Sequence, residues 1–194
     1  MNPEVNEIFY SLQGEGGRQG EASIFIRLTQ CNLSCDFCDT DFETGKKMSV
    51  DEILSKIKEY PCKWIIWTGG EPTLQLTDAI LAYFKERGYH QAIESNGLKP
   101  LSERIDYKVI SPKGSLSYIK KINAEVDEIR LPVKKGDILP DIQSLPLARY
   151  YFVSPIFSLD KEQTKANIDY CVEQIKSAPA WRLSLQIHKL IGIE

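Results

Sequence analysis

The chain has 194 residues, close to one domain of about 150 with a small insertion. A length like this buries roughly 70% of the unfolded surface, so a core forms without disulfides or structural metals. Twenty-four basic against 27 acidic residues give a net charge of −3, too small and of the wrong sign for a surface that tracks nucleic-acid phosphates. With 42% apolar and 26% charged residues, the composition is that of a folded globular protein, well away from the disordered class.

No stretch approaches the ~20 apolar residues of a membrane span. The start, Met1-Asn2-Pro3-Glu4, lacks a basic region followed by an apolar one, so the expected location is the cytoplasm. No repeat or low-complexity tract divides the chain, and residues 1–194 read as a single domain.

In chain order, strand-like runs fall at Val5–Leu12, Ser23–Leu28, Lys63–Thr68, Gln91–Ser95, Tyr107–Ser111, Glu128–Leu131, Tyr150–Ser154 and Arg182–Gln186. A helix follows from Val50, Ile53, Leu54 and Ile57 at helical spacing, with Ser49 and Glu52 placed as a capping box. A second helix is predicted over Thr77–Arg87, stopped by Gly88, and a third over Lys161–Lys176. Alternating strands and helices imply a mostly parallel sheet with crossover helices. A complete eight-unit barrel takes about 250 residues, so the α/β fold expected is a partial TIM-like barrel with reduced helical cover. Ligands in such folds sit beyond the carboxyl ends of the strands.

The loops there carry the unusual residues. Cys31, Cys35 and Cys38 follow the second strand with C-x3-C-x2-C spacing, while Cys62 and Cys171 match no ligand pattern. A closed zinc site wants four ligands, and His90 and His188 are remote in sequence. Three thiolates on a 4Fe-4S cluster leave one iron open, which suits catalysis. The bland alternatives are a structural zinc knuckle or three small core residues. Lys63–Thr68 runs into Gly69-Gly70-Glu71-Pro72-Thr73, where the glycines permit close backbone approach and Glu71 can pair with a ligand ammonium. Glu94-Ser95-Asn96-Gly97 and Ser111-Pro112-Lys113 end the next two strands, although each alone is equally a turn signal. Arg27, in the apolar run Ile24–Leu28, demands an anionic partner: a carboxylate substrate, or an internal acidic residue.

The cysteine spacing after an early strand resembles that of the radical S-adenosylmethionine (SAM) enzymes. That resemblance implies a cluster whose open iron is chelated by SAM, which one electron then cleaves to methionine and a 5′-deoxyadenosyl radical. By the same resemblance Phe37, Cys38, Asp39, Gly70, Glu71, Ser95, Asn96, Ser111, Pro112 and Lys113 contact SAM; core packing is the alternative for Phe37. The set SLQGEG, Arg27, CNLSCDFCDT, TGGEPT, ESNG, SPK and Gln186-Ile187-His188-Lys189 is similar over nearly the whole chain to the 7-carboxy-7-deazaguanine synthases. This implies ring contraction of 6-carboxy-5,6,7,8-tetrahydropterin with loss of ammonia, on the route to queuosine. It places Leu12, Gln13, Gly14, Glu15, Arg27, Thr68, Gln186 and His188 around the pterin and makes Thr40 the protein ligand to Mg2+. Gln186 and His188 are expected two apart on a strand, hence on one face; a structural histidine is the alternative for His188. The resemblance also implies a homodimer and an electron-donor protein such as a flavodoxin-type reductant. The rivals are an activase that installs a glycyl radical on a partner protein and a non-enzymatic zinc-binding interaction module. The shortness of the chain suggests that the region from Gly114 to Pro140 is trimmed or reshaped, and the terminal carboxylate of Glu194 is a minor candidate for the site.

Overall fold

The computed structural model describes residues 2–38, 44–113 and 125–193. Nine strands form one sheet in the order β3-β1-β2-β4-β5-β6-β7-β8-β9. They are β1 (Glu4–Leu12), β2 (Ala22–Leu28), β3 (Lys46–Lys47), β4 (Trp64–Gly69), β5 (His90–Ser95), β6 (Tyr107–Ile110), β7 (Val126–Val133), β8 (Ala148–Pro155) and β9 (Arg182–Leu183). From β2 to β9 every neighbouring pair is parallel, whereas β1 runs antiparallel to both β2 and β3. The end strands β3 and β9 do not pair, so this is the open, partial barrel expected.

Helical cover is thin, with α1 (Val50–Ile57), α2 (Asp78–Lys85), α3 (Lys161–Ser177) and α4 (Ile187–Ile191) among the described residues. The capping box at α1 is present, since Ser49 accepts from the Glu52 amide and Glu52 reaches back to the Ser49 amide. Thr77 caps α2, and Gly88, at φ +78°, takes the left-handed conformation that lets the chain turn after it.

The two faces of the sheet have different chemistry because successive side chains on a strand alternate. On the helix side Ile24, Ile26, Leu28, Ile65, Trp67 and Ile93 pack with α1 and α2 residues Ile53, Ile57, Ile80, Leu81 and Phe84 in one cluster. Ile129, Leu131, Val133 and Val153 form a second cluster with Cys171 of α3 and with Trp181. The concave face is polar at its centre, where Arg27, Thr68, Glu94, Arg130 and Ser154 line a cavity. Register explains the assembly, since Arg27 lies beside Thr68, Glu94 beside Val109 and Arg130 beside Phe152.

The segment after β1 closes this barrel from one end. Gly16 N donates to Ser184 Oγ, Gly17 N to Glu128 Oε1, and Ile187 N to the Gly14 carbonyl. The loop therefore reaches across the sheet to β7 and the chain beyond β9. No helix among the described residues is long and apolar enough to cross a membrane.

The expectation of a strand over Arg182–Gln186 is corrected. Only Arg182 and Leu183 pair with β8; Gln186 is the N-cap of α4, and His188 lies within that helix. The Gly14 carbonyl takes the Ile187 amide, and Gly192 at φ +71° ends the helical turn. That glycine, just after Ile187–Ile191, is a helix-stop signal that the strand reading passed over.

Candidate active site

The cavity opens beyond the carboxyl ends of the parallel strands and measures roughly 370 Å3, the size of a small-molecule site. Cys31, Cys35, Cys38 and Phe37 line it. Their loop is anchored by backbone pairing: Gly70 N donates to the Leu28 carbonyl at 3.0 Å and Glu71 N to the Gln30 carbonyl at 2.8 Å. A Cβ at Gly70 would lie 2.0 Å from that Gln30 oxygen, so only glycine permits the approach. The strand end at Asn96 is tied to the same loop, its Nδ2 donating to Asn32 Oδ1 at 2.8 Å.

The five cysteines are thiols, and Cys31 and Cys35 are half-buried. Burial first, then the neighbouring Cys38, Cys31 and Asp36, push the Cys35 thiol above its ordinary pKa, against the opposing charge of Lys113. A metal group held here would have to draw that proton off, because the thiolate is the ligand. Among the described residues no three His, Cys, Asp or Glu side chains converge as around a single ion. A cubane cluster needs no such convergence, because each thiolate binds a different iron. The donor set, three thiols in one loop, fits a 4Fe-4S cluster with one iron left to a non-protein ligand.

The structure brings Phe37, Cys38, Gly70, Ser95, Asn96, Ser111 and Lys113 to the cavity wall. Lys113 Nζ donates to Ser111 Oγ at 2.8 Å, and burial pulls its pKa down. Glu71 and Pro112 are not on that wall. Glu71 is 1% exposed, and its carboxylate accepts from Thr73 N, Thr73 Oγ1, Ser95 Oγ and Asn96 N. Here it is a buried tie between two strand-end loops. Asp39 and Thr40 lie outside the described residues, as do Glu194 and residues 114–124 of the Gly114–Pro140 region.

Leu12, Gln13, Gly14, Glu15, Arg27, Thr68, Gln186 and His188 all line the same cavity. A Cβ at Gly14 would lie 2.0 Å from His188 Nδ1, so the imidazole packs directly on that backbone. Arg27 has an internal acid: its Nε donates to Glu7 Oε1 at 2.6 Å, with the guanidinium side chain 23% exposed. The second of the two readings of Arg27 is thus realised, and one N–H of its fork is committed.

Sequence reasoning missed a buried arginine at the centre of the site. Arg130 Nη1 reaches Glu15 Oε2 at 2.5 Å and Glu94 Oε1 at 3.3 Å, and its Nη2 reaches Glu128 Oε2 at 3.1 Å. Burial would raise the Glu94 pKa, but the Arg130 charge, with hydrogen bonds from Gln13, Arg130 and Thr68, holds it below the usual carboxylate range. The signal was available: Glu128 and Arg130 interrupt an apolar strand two apart, as Arg27 interrupts β2.

An open parallel barrel with three thiols at its strand ends defines a radical SAM protein, and residues 25–137 match the family described as the Radical SAM superfamily. Over 193 residues, covering all of both chains, the sequence is 41% identical to the 7-carboxy-7-deazaguanine synthase of Bacteroides thetaiotaomicron. It is 40% identical to the enzyme of that name from Haemophilus influenzae, covering 100% of this chain and 95% of the other. The crystal structure of QueE from Escherichia coli superposes with a TM-score of 0.72 at 23% identity, covering 95% of this chain and 94% of that one, a likeness of fold. The chain belongs to the 7-carboxy-7-deazaguanine synthase family.

Proposed function

We propose that the chain converts 6-carboxy-5,6,7,8-tetrahydropterin into 7-carboxy-7-deazaguanine with loss of ammonia, as a radical SAM lyase serving queuosine and 7-deazapurine synthesis. One observation carries this reading: a single small cavity is lined by the three thiols and by Gln13, Glu15, Arg27 and Thr68. When bound, the 4Fe-4S cluster on Cys31, Cys35 and Cys38 and its SAM supply one-electron chemistry that no side chain offers.

The chain's own residues bind and orient. Gly70, Ser95, Asn96, Ser111 and Lys113 provide backbone and polar groups for SAM, with Phe37 against its apolar parts. Asp39 and Pro112 belong to the same binding set by family likeness, and Glu71 fixes the Ser95 and Asn96 end of it. The remaining Arg27 donors meet the pterin carboxylate, and Gln13, Glu15, Thr68, Gln186 and His188 meet its ring donors and acceptors. Leu12 and Gly14 bound the ring. Mg2+ is held through Thr40; one neutral hydroxyl is a poor site alone, so water and substrate oxygens complete it and occupancy follows substrate.

Residues 1–194 act as one radical SAM unit, a homodimer in the cytoplasm, reduced by an electron-donor protein of flavodoxin type. The clustered thiols support a reducing compartment. A roughly 370 Å3 cavity suits a heterocycle and its cosubstrate better than the peptide loop an activase must admit.

The test is to reduce protein reconstituted with iron and sulfide under anaerobic conditions, add SAM and the carboxypterin, and follow the deazapurine chromophore. Product formation is expected. SAM cleavage without ring contraction would overturn the substrate, and tight zinc binding without a brown cluster would favour the interaction module.

A further inference from the structure

Four ionisable side chains from three separate stretches meet at the cavity wall, and Arg130 is their hub. Its side chain is 4% exposed and contacts Glu15 from the loop after β1, Glu94 from β5 and Glu128 from β7 itself. Glu128, whose side chain is 1% exposed, also accepts from Tyr107 Oη and Gly17 N, both at 2.7 Å. Two residues before Arg130 on the same face of β7, it sits beneath the cavity, whereas Glu15 and Glu94 line it. Arg130 Nε is buried with no partner among the described residues, so the two Nη groups carry the whole attachment.

We propose that Arg130 is a positioning residue: anchored by Glu128 on its own strand, it holds Glu15 and Glu94 as a fixed pair of acceptors facing the pterin. This rests on the reading above that puts the pterin beside Glu15. An aminopyrimidinone edge presents N–H donors, and a carboxylate accepts from them through both oxygens, with charge assistance, only while ionised and correctly turned. Without the Arg130 charge, burial would push Glu94 toward its protonated form, which offers a donor where an acceptor is needed.

The groups facing Glu94 are few. Gln13 and Glu15 come from the loop after β1, Thr68 from β4, Arg130 and Glu128 from β7, and Lys113 from the segment after β6. Lys113 is the only other cation near it among these, and burial lowers its own pKa. The hydrogen bonds from Gln13 and Thr68 orient Glu94. The charge that keeps it ionised comes from Arg130.

The experiment compares Arg130→Met and Arg130→Lys with wild type as anaerobically reconstituted holoenzymes. Binding of 6-carboxypterin, a fluorescent analogue that is not turned over, is titrated from pH 5.5 to 8.5, alongside KM, kcat, SAM affinity and melting temperature. Arg130→Met is expected to weaken pterin binding about tenfold, to raise KM more than it lowers kcat, and to move the acid limb of binding upward by about one pH unit. Arg130→Lys restores the position of the acid limb through its charge but not the full affinity, because it lacks the two-pronged fork. SAM affinity stays within about twofold of wild type, since these acids do not hold it.

A folded Arg130→Met that binds 6-carboxypterin as wild type does, with its acid limb unmoved and only its melting temperature lowered, overturns the proposal and leaves Arg130 as packing. Should Arg130→Met not fold, Glu128→Gln loosens the same anchor, and unchanged affinity and acid limb there overturn it equally. A wild type that neither binds the analogue nor converts the carboxypterin overturns the function proposed above together with this inference. Where wild type does both, an unaltered variant counts against the role of Arg130 alone.

Discussion

Replacing Glu71 by glutamine separates a residue that grips a ligand from one that holds the loops which do. The Glu71 Oε1 atom accepts from Thr73 N at 3.0 Å, Thr73 Oγ1 at 2.6 Å and Ser95 Oγ at 2.9 Å, while Oε2 accepts from Asn96 N at 2.7 Å. The least damaging placement of the amide puts its NH2 where Oε2 was, facing the Asn96 N–H donor to donor. Two buried donors then lack acceptors, at about 1–3 kcal/mol each, for a total of about 2–6 kcal/mol. A chain of this length loses about 2–4 °C per kcal/mol, so the melting temperature of Glu71→Gln should fall by roughly 4–24 °C. Because Asn96 also ties down Asn32 in the cysteine loop, cluster retention should fall with it. Circular-dichroism melts of protein with and without cluster, together with SAM titration calorimetry, read both effects. If Glu71→Gln melts within about 1 °C of wild type yet loses SAM binding, the carboxylate acts on the ligand directly and the argument from burial fails.

Gly70→Ala drives a Cβ into the Gln30 carbonyl at 2.0 Å, so the cysteine loop must move and the reconstituted protein should lack its brown absorbance. Gly88→Ala, which meets open space, should cost only the left-handed backbone penalty of about 1–2 kcal/mol and keep the cluster. Arg27→Ala should weaken 6-carboxypterin binding and spare SAM, whereas Glu7→Gln should hold or raise pterin affinity by releasing the Arg27 fork; equal losses in a fluorescence titration would make the pair a scaffold. Cys171 is wholly buried, and burial, with Asp137 nearby, pushes its thiol up to about 11. A thiol raised in the folded state stabilises below its unfolded value near 9 and loses that contribution as pH rises toward about 11. Native protein should therefore resist alkylation of Cys171 at pH 8, as peptide mass spectrometry would show, and stability should decline across that alkaline window.

The amino-acid order alone settled what depends on near neighbours. Three cysteines within eight residues, a glycine pair after an apolar strand, and a serine three residues before a glutamate each act over a turn or two, so their chemistry is readable without a fold. The same holds for the alternation that sends Ile24 and Ile26 to the helices and Arg27 to the cavity. Tertiary structure decided the partners. Arg27 answers to Glu7 twenty positions away, and Arg130 to Glu15 at a separation of 115, pairings that only sheet order and register create. Glu71 turned inward because Ser95 and Asn96 arrive beside it from the next strand. Gln186 and His188 left the sheet because β9 finds only two residues of β8 to pair with, and the Gly14 carbonyl captures the Ile187 amide instead. A buried charge must be matched, but its sequence does not say by which acid; that is fixed by whichever one the fold delivers within reach.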